Sequence, residues 1–214
     1  MTVKETLMNS EKQIKPLLDF IGKIESAKGY NYEYGNKPID LSNMTIQEVL
    51  DHQEKRRKEG AVSSAVGRYQ FIHKTLKDLV LTKNGEEKNP KDLPLNAKFT
   101  PELQDKAATI LLKRRGLDKY LSGKISPEQF STEIAKEWAS IPLVTDMSVV
   151  RKNEKGDETQ VDLKKGQSFY SGVAGNKSLV DPDELLNVVK NSRLIDPELQ
   201  KRAAIANTFP EAMQ

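Results

Sequence analysis

A single glutamate interrupts the apolar face of the first predicted helix, at a position that suits a general acid. Five apolar residues recur there at helical spacing: Ile14, Leu17, Leu18, Ile21 and Ile24. Glu25 falls four residues after Ile21 and so lies on the same face. A carboxyl group facing a core tends to keep its proton, because desolvation disfavours the charged form, and general acid catalysis needs that proton. The alternative is a glutamate in a last helical turn that reaches solvent or pairs with a lysine.

The segment after Glu25 contains residue types that bind sugars. Tyr30, Tyr32 and Tyr34 alternate as in an extended strand, and Asn31 lies among them. Aromatic faces stack on the apolar faces of sugar rings, while amides hydrogen-bond to hydroxyl groups. Ordinary packing of a loop would account for the same composition.

A second polar segment, SSAVGRYQFI, covers residues 63–72. Small residues lead to Gly67, and polar and apolar residues then alternate, which predicts a tight turn and a short strand. Tyr69 and Gln70 can present hydrogen-bonding groups to a groove. Arg68 either pairs with a carboxylate or lies on the surface.

The elements that must position these residues are mainly helices. Four helix starts share a capping residue, a proline and an acid: Thr100-Pro101-Glu102, Ser126-Pro127-Glu128, Asp181-Pro182-Asp183 and Asp196-Pro197-Glu198. Gln129 and Glu184 are the predicted capping-box partners. The helix that starts at Thr100-Pro101 should end near Gly116, and the helix that starts at Ser126-Pro127 should end before Pro142.

Further helices are predicted over Thr45–Glu59 and Lys74–Leu81, with a surface loop over 83–98. Residues 143–180 should contain a hairpin or a mobile loop, because polar and apolar residues alternate near Thr159–Leu163. The fold class is therefore mainly α with a small β-hairpin element (α+β). We expect Trp138 in the core.

Composition excludes several classes of function. The chain has no Cys, and its two histidines, His52 and His73, are too few for a three-histidine metal centre. We expect His52 to be solvated and His73 to cap a helix or lie on the surface. A net charge of +3 is too small to favour nucleic acid as a partner. No apolar run is long enough to span a membrane, and no signal peptide is recognisable, so we expect synthesis in a cytoplasm.

The order of these segments resembles phage and prophage muramidases related to the phage lambda endolysin. The resemblance rests on Glu25-Ser26, Tyr30-Asn31 with Gly35, DLSNMTIQEVLDHQ, SSAVGRYQFI, TPELQDKAATILLKRRG, AKEWASIP and QSFYSGVAGNKSLVDPDELL, and it covers about residues 12–190. It implies a lysozyme-like two-lobed fold with a glycan cleft, over a catalytic domain of residues 1–190. Residues 191–214 would form a helical tail without an assigned role.

The resemblance also implies a peptidoglycan lytic transglycosylase that cleaves the bond between N-acetylmuramic acid and N-acetylglucosamine and needs no metal or other cofactor. It maps the catalytic acid onto Glu25. It maps substrate contacts onto Ser26, Tyr30, Asn31, Arg68, Tyr69, Gln70 and Tyr170. The partner would be bacterial glycan strands, reached in the periplasm either after holin-dependent release or from a virion particle.

One carboxylate is enough for this chemistry, whereas a conventional glycosidase uses two. The first acids after Glu25, which are Glu33 and Asp40, lie in a predicted loop. A hydrolysing muramidase is the alternative enzyme, and a non-catalytic glycan-binding or virion structural protein with the same fold is the alternative outside enzymes.

Overall fold

The computed structural model describes the backbone of residues 3–152, 155–171, 178 and 180–194, with side chains between residues 13 and 193 of these ranges. The chain divides into two compact units, one formed by Ile21–Leu111 and the other by Met1–Phe20 with Leu112–Gln214. The fold of the described residues is mainly helical, with two small sheets. The helices are α1 (Val3–Glu25), α2 (Ile46–Lys58), α3 (His73–Val80), α4 (Pro101–Arg114), α5 (Leu117–Leu121), α6 (Pro127–Ala135) and α7 (Pro182–Leu194).

The unit of residues 21–111 contains a short antiparallel sheet, in which β1 (Tyr32–Glu33) pairs with β2 (Lys37–Pro38). A 3₁₀ turn follows at Leu41–Asn43. The core of this unit is formed by apolar side chains from α2, α3 and the connecting segments, among them Leu41, Ile46, Val49, Val66, Phe71, Leu76, Leu79, Leu93 and Phe99. Residues 81–100 form an irregular connection, as predicted for 83–98.

The other unit contains the second sheet, in which β3 (Met147–Lys152) pairs antiparallel with β4 (Glu158–Leu163). This is the hairpin predicted within residues 143–180. The Tyr120 ring stacks on Phe130 with 4.8 Å between centroids. Trp138 is buried, which confirms its place in the core.

Local capping explains where several helices begin. Thr45 and Glu48 form a reciprocal capping box at the start of α2, and Ser126 and Gln129 form the predicted one at the start of α6. At α7, the Asp181 carboxylate accepts a hydrogen bond from the Asp183 amide at 2.9 Å.

Some boundaries differ from the prediction. The separate helix α5 was not predicted, and Gly116, in a left-handed conformation (φ 96°), divides it from α4. Helix α6 ends at Ala135, so Trp138 lies beyond it. The predicted helix at Asp196 and most of the predicted tail lie outside the described residues. Within the described part of the chain, every helix is too short or too polar to cross a membrane.

Candidate active site

Glu25 is the last residue of α1, at the end of the predicted apolar stripe. Four residues of that stripe are buried: Ile14, Leu17, Leu18 and Ile21. Ile24 and Glu25 are half-buried. The stripe is thus confirmed, and the Glu25 carboxyl group lies where the buried part of the helix gives way to solvent. A carboxyl group so placed remains accessible to a ligand while part of its hydration is lost.

Ser26 shapes the turn that leaves α1. Its side chain is buried, and its hydroxyl donates a hydrogen bond to the Gly29 carbonyl at 3.1 Å. The Gly29 amide in turn donates to the Ser26 carbonyl at 3.0 Å. Gly29 has φ of +103°, a conformation that glycine adopts without strain. This turn leads the chain from Glu25 directly into Tyr30 and β1.

The segment around Gly67 forms the predicted tight turn. Val66 and Phe71 pair across it as an antiparallel bridge, and Val66 also bridges to Glu33 of β1. The Gly67 amide donates to the Tyr32 carbonyl at 2.8 Å. We call residues 66–71 the 66–71 hairpin. Its backbone bonds attach it to β1, so it belongs to the same unit as Glu25.

Tyr30, Arg68, Tyr69 and Asp105 form one hydrogen-bonded group. The hydroxyl groups of Tyr30 and Tyr69 both donate to Asp105 Oδ1, at 2.9 and 2.7 Å. Arg68 Nη1 donates to the Tyr30 hydroxyl at 2.7 Å, and the guanidinium carbon lies 5.0 Å from the centre of the Tyr30 ring. Arg68 therefore does not simply lie on the surface, because the Tyr30 ring and its hydroxyl hold it.

The two tyrosines of this group remain protonated at neutral pH. Burial, followed by the hydrogen bond to Asp105, raises the pKa of Tyr30 above its ordinary value. The same two causes raise the pKa of Tyr69 further, since Tyr69 is fully buried. Both phenols thus act as neutral hydrogen-bond donors. Tyr69 lies inside the packing of the hairpin, and Tyr30 is half-buried.

Gln104, a buried residue of α4, holds the 66–71 hairpin through hydrogen bonds of its side-chain amide. Its Oε1 accepts a hydrogen bond from the Arg68 amide at 3.0 Å. Its Nε2 donates to the carbonyls of Phe99 and Tyr30, at 3.0 and 3.3 Å. A side chain at Gly67 would overlap Gln104 Oε1, so the close approach of Gln104 requires glycine there.

Asn31 and Gln70, two further predicted contact residues, are both half-buried. Asn31 Oδ1 accepts hydrogen bonds from the amide and the hydroxyl of Ser42, each at 2.9 Å. Gln70 adopts a left-handed backbone with φ of +47°, and its Nε2 donates to the Gly67 carbonyl at 2.9 Å. Non-glycine residues in this conformation are uncommon and cluster at functional sites.

Tyr170, the remaining predicted contact, belongs to the other compact unit. It is half-buried, its hydroxyl donates to the Lys136 carbonyl at 2.7 Å, and its ring meets Phe169 edge to face. Burial raises its pKa. Its role in substrate binding stays a prediction.

The expectations for the two histidines were wrong. His73 is buried as the first residue of α3, with its Nδ1 3.2 Å from an Arg57 guanidinium nitrogen. Burial is the largest cause that lowers the pKa of His73. His52 is half-buried rather than solvated, and its Nε2 lies 2.8 Å from the Glu33 carboxylate. Sequence periodicity does not reveal these partners, because each lies 16 or more residues away along the chain.

Three residues of the site were not identified from the sequence. Gln104 and Asp105 look like polar residues on an ordinary helix. Gly22 looks like a neutral position in α1, yet a side chain there would overlap Arg68. Only Gly22 carries a weak sequence signal, since glycine lowers the stability of a helix interior.

Together these residues place a carboxyl group, a guanidinium group and amide groups in one compact unit. The carboxyl group can exchange a proton, and the others can donate hydrogen bonds to the oxygens of a polar substrate. In the described residues, no group of three or more His, Asp or Glu side chains is arranged to hold a metal ion.

Comparison with known proteins gives one match. The model of the Endolysin family matches residues 17–161, a stretch that includes Glu25, the 66–71 hairpin and Asp105. No curated protein and no solved structure matches the chain. The matched stretch covers more than half of the 214 residues. The chain therefore belongs to the endolysin family, the phage lytic enzymes that degrade the peptidoglycan of the bacterial cell wall.

Proposed function

We propose that this endolysin cleaves the bond between N-acetylmuramic acid and N-acetylglucosamine as a lytic transglycosylase, with Glu25 as its catalytic acid and base. The observation that carries the proposal is the half-buried carboxyl group at the end of α1. The unit that contains Glu25 also contains the 66–71 hairpin, with its tyrosine-held guanidinium. A lysozyme-like fold with a glycan cleft is part of this proposal.

The chemistry uses one carboxyl group twice. Glu25 first donates its proton to the glycosidic oxygen, and the bond from that oxygen to C1 of muramic acid breaks. The neighbouring N-acetyl group stabilises the positive charge that develops at C1. The C6 hydroxyl of the same sugar then attacks C1 and gives its proton to the Glu25 carboxylate. The products are a free N-acetylglucosamine end and a 1,6-anhydromuramic acid end, and water is not consumed.

The first two carboxylates after Glu25 in the chain are engaged elsewhere, which supports the single-acid route. Glu33 Oε2 is within 2.8 Å of His52 and 3.1 Å of Arg56. Asp40 is exposed and accepts a hydrogen bond from the Asn43 side chain at 2.7 Å. A hydrolase would need a second carboxylate to activate water or to attack C1.

We also propose the bounds of the catalytic domain, its substrate contacts and its route to the cell wall. The proposed catalytic domain covers residues 1–190 and the proposed tail residues 191–214, although α7 continues four residues past this boundary, to Leu194. Within residues 21–111 the proposed substrate contacts are Tyr30, Asn31, Arg68 and Gln70, while Ser26 and Tyr69, both buried, support them from within the turn and the hairpin. Tyr170, in the other compact unit, stays a predicted contact. The enzyme reaches the wall after holin-dependent release or from the virion.

The test is mass spectrometry of muropeptides released from purified sacculi by the wild type and by Glu25→Gln. Glu59→Gln is the matched control, because Glu59 is an exposed carboxylate at the end of α2. We expect 1,6-anhydromuramic acid ends from the wild type and the control, and their loss in Glu25→Gln.

The other outcomes contradict the proposal in distinct ways. Reducing ends that disappear in Glu25→Gln would keep Glu25 as the acid but show hydrolysis, and Glu33→Gln would then be tested next. Activity that persists in Glu25→Gln would exclude Glu25 as the acid. A wild type that binds sacculi without cleaving them would point to a binding or structural protein.

A further inference from the structure

The side chains of Asp105, Tyr30 and Arg68 form a chain of contacts that ends against helix α1. We infer that Asp105 and Gly22 are positioning residues of this enzyme, which together fix the Arg68 guanidinium one helical turn before Glu25. The inference rests on the proposed function, because it assigns Arg68 a task in binding the glycan beside the acid. Neither Asp105 nor Gly22 touches the reacting atoms in this scheme.

Asp105 sets the direction of the hydrogen bonds in this chain. A carboxylate can only accept, so the Tyr30 and Tyr69 hydroxyls must both donate to Oδ1, at 2.9 and 2.7 Å. The oxygen of Tyr30 is then left as an acceptor, and Arg68 Nη1 donates to it at 2.7 Å. The charge of Asp105 thereby fixes which way the Tyr30 hydroxyl points and where the guanidinium is held.

The Tyr30 ring adds a second restraint on the guanidinium. The Arg68 guanidinium carbon lies 5.0 Å from the ring centre, within the range of a cation–π contact. Gln104 fixes the backbone of the same arginine through its amide at 3.0 Å. Arg68 is thus held at both ends, which reduces the entropy lost when it binds a ligand.

Gly22 provides the space that the guanidinium needs. A Cβ atom at this position would overlap Arg68 Nε and lie 2.8 and 2.9 Å from its Cγ and Cδ atoms. Gly22 does not have a positive φ, so no turn requires glycine here. Glycine in a helix interior costs stability relative to alanine. The close approach of Arg68 is therefore the structural reason for glycine at this position.

The place of Gly22 on α1 relates this contact to the proposed acid. Residues three apart on a helix lie on neighbouring turns of one face, and Glu25 follows Gly22 by three. An arginine packed on Gly22 therefore presents its donors at the helix face that carries Glu25. A glycan bound at Glu25 would offer carbonyl and hydroxyl oxygens to those donors. A shift in the donors would misplace the sugar relative to the acid, which lowers kcat.

The first experiment compares Tyr30→Phe with Tyr120→Phe in the full chain. Tyr30→Phe keeps the ring under Arg68 but breaks the hydroxyl link to Asp105. Tyr120→Phe is the matched control, since it also removes a well-bonded hydroxyl, which donates to the Val189 carbonyl at 2.7 Å, from outside the site. The measurements are kcat and KM on soluble glycan chains and the thermal unfolding midpoint.

We expect Tyr30→Phe to lower kcat by about tenfold or more, the effect typical of losing a hydrogen bond to a charged group. Its KM should change little if the hydroxyl acts through Arg68, whereas a raised KM at unchanged kcat would show direct binding of the glycan by Tyr30 and would overturn the inference. Tyr120→Phe should keep the wild-type kcat. Equal kcat values for both variants, at comparable losses of stability, would overturn the role of the Asp105–Tyr30–Arg68 chain.

The second experiment is a double-mutant cycle with Gly22→Ala and Arg68→Ala. If Gly22 acts only by admitting Arg68, the double variant should have the same kcat as Arg68→Ala alone. Additive losses would overturn the role assigned to Gly22. A fully active Glu25→Gln variant would instead contradict the proposed function. If Glu25→Gln is inactive but Tyr30→Phe keeps the wild-type kcat, this inference alone is overturned.

Discussion

The Glu33 carboxylate on β1 and the His52 ring on α2 are joined by a hydrogen bond of 2.8 Å. Arg56, one turn further along α2, lies 3.1 Å from the same carboxylate oxygen. The relative solvent exposure of the Glu33 side chain is only 12%. This contact ties the small sheet, and with it the segment after Glu25, to a helix that begins 13 residues after Glu33.

Replacing Glu33 with glutamine should therefore destabilise the protein. The variant leaves the Arg56 guanidinium half-buried beside a neutral amide, and we expect a loss of about 1–3 kcal/mol in the free energy of unfolding. Urea denaturation measures it. Glu54→Gln, which removes the exposed partner of Lys58, is the control and should change little. An equal loss in both variants would contradict the special role of Glu33.

Gln53 connects α2 to Ser64 and to Phe71, the last residue of the 66–71 hairpin. Its Nε2, fully buried, donates to the carbonyls of Ser64 and Phe71, each at 2.7 Å. Gln53→Met keeps the shape but leaves two buried carbonyls without this donor. The substitution also removes Oε1, which is buried and has no hydrogen-bond partner among the described residues. Its removal offsets part of the stability lost with the two hydrogen bonds. We expect a net loss of about 1–3 kcal/mol by urea denaturation.

Gln47→Met tests whether the loss at Gln53 comes from burial. Gln47 lies on the exposed face of the same helix, where its side chain donates to Asp51 at 2.8 Å. A surface substitution of this kind changes stability by no more than about 0.5 kcal/mol. A larger effect at Gln47 than at Gln53 would contradict the assignment of the buried bonds.

The buried His73 predicts how stability depends on pH. Burial, and then the nearby charges of Arg57 and Lys77, lower its pKa below the ordinary value of 6.5. The unfolded chain then binds more protons at His73 than the folded chain does, so His73 makes the protein less stable as pH falls below about 6.5. Above that pH both states are neutral, and the effect is absent.

The measurement for His73 is the thermal midpoint of the wild type and of His73→Gln at pH 7.5 and at pH 5.5. We expect the wild type to lose more stability between these two values than the variant, because glutamine does not titrate. Equal losses would show that His73 is protonated to the same extent in both states.

The close packing of Gly67 against Gln104 gives a fourth prediction. Gly67→Ala must place a Cβ into Gln104 Oε1 while keeping φ of +76°. Gly85→Ala carries a similar φ of +84° with open space around it, so it isolates the backbone cost, about 1–2 kcal/mol. We expect Gly67→Ala to cost at least about 1 kcal/mol more, from overpacking, by urea denaturation. Equal costs would show that Gln104 moves aside freely.

Sequence reasoning succeeded where the determining contacts are local. The capping box of Ser126 and Gln129 spans three residues, and the apolar stripe of α1 repeats every turn, so both were predictable. The hairpin of β3 and β4 likewise shows as a short-range alternation of residue types.

The hydrogen bonds that hold the residues of the candidate site were not predictable, because the bonded residues are distant from one another in the chain. The bond from Tyr30 to Asp105 spans 75 residues, and the bond from Tyr69 to Asp105 spans 36. A polar residue on an amphipathic helix gives no sign of which distant side chain it will meet. The burial of His73 was missed for the same reason, since its contacts include Arg57 on α2 and Ser64, which are 16 and 9 residues away along the chain.

At Gln70, which has a left-handed backbone, selection for stability and selection for activity should favour different residues. Glycine in place of Gln70 would relax the backbone, so a library of variants sorted only for heat resistance should become enriched in Gln70→Gly. Sorting the same library for clearing of bacterial lawns should retain glutamine, if its side chain meets the glycan. The divergence of the two libraries at one codon would measure how much stability this enzyme gives up for its activity.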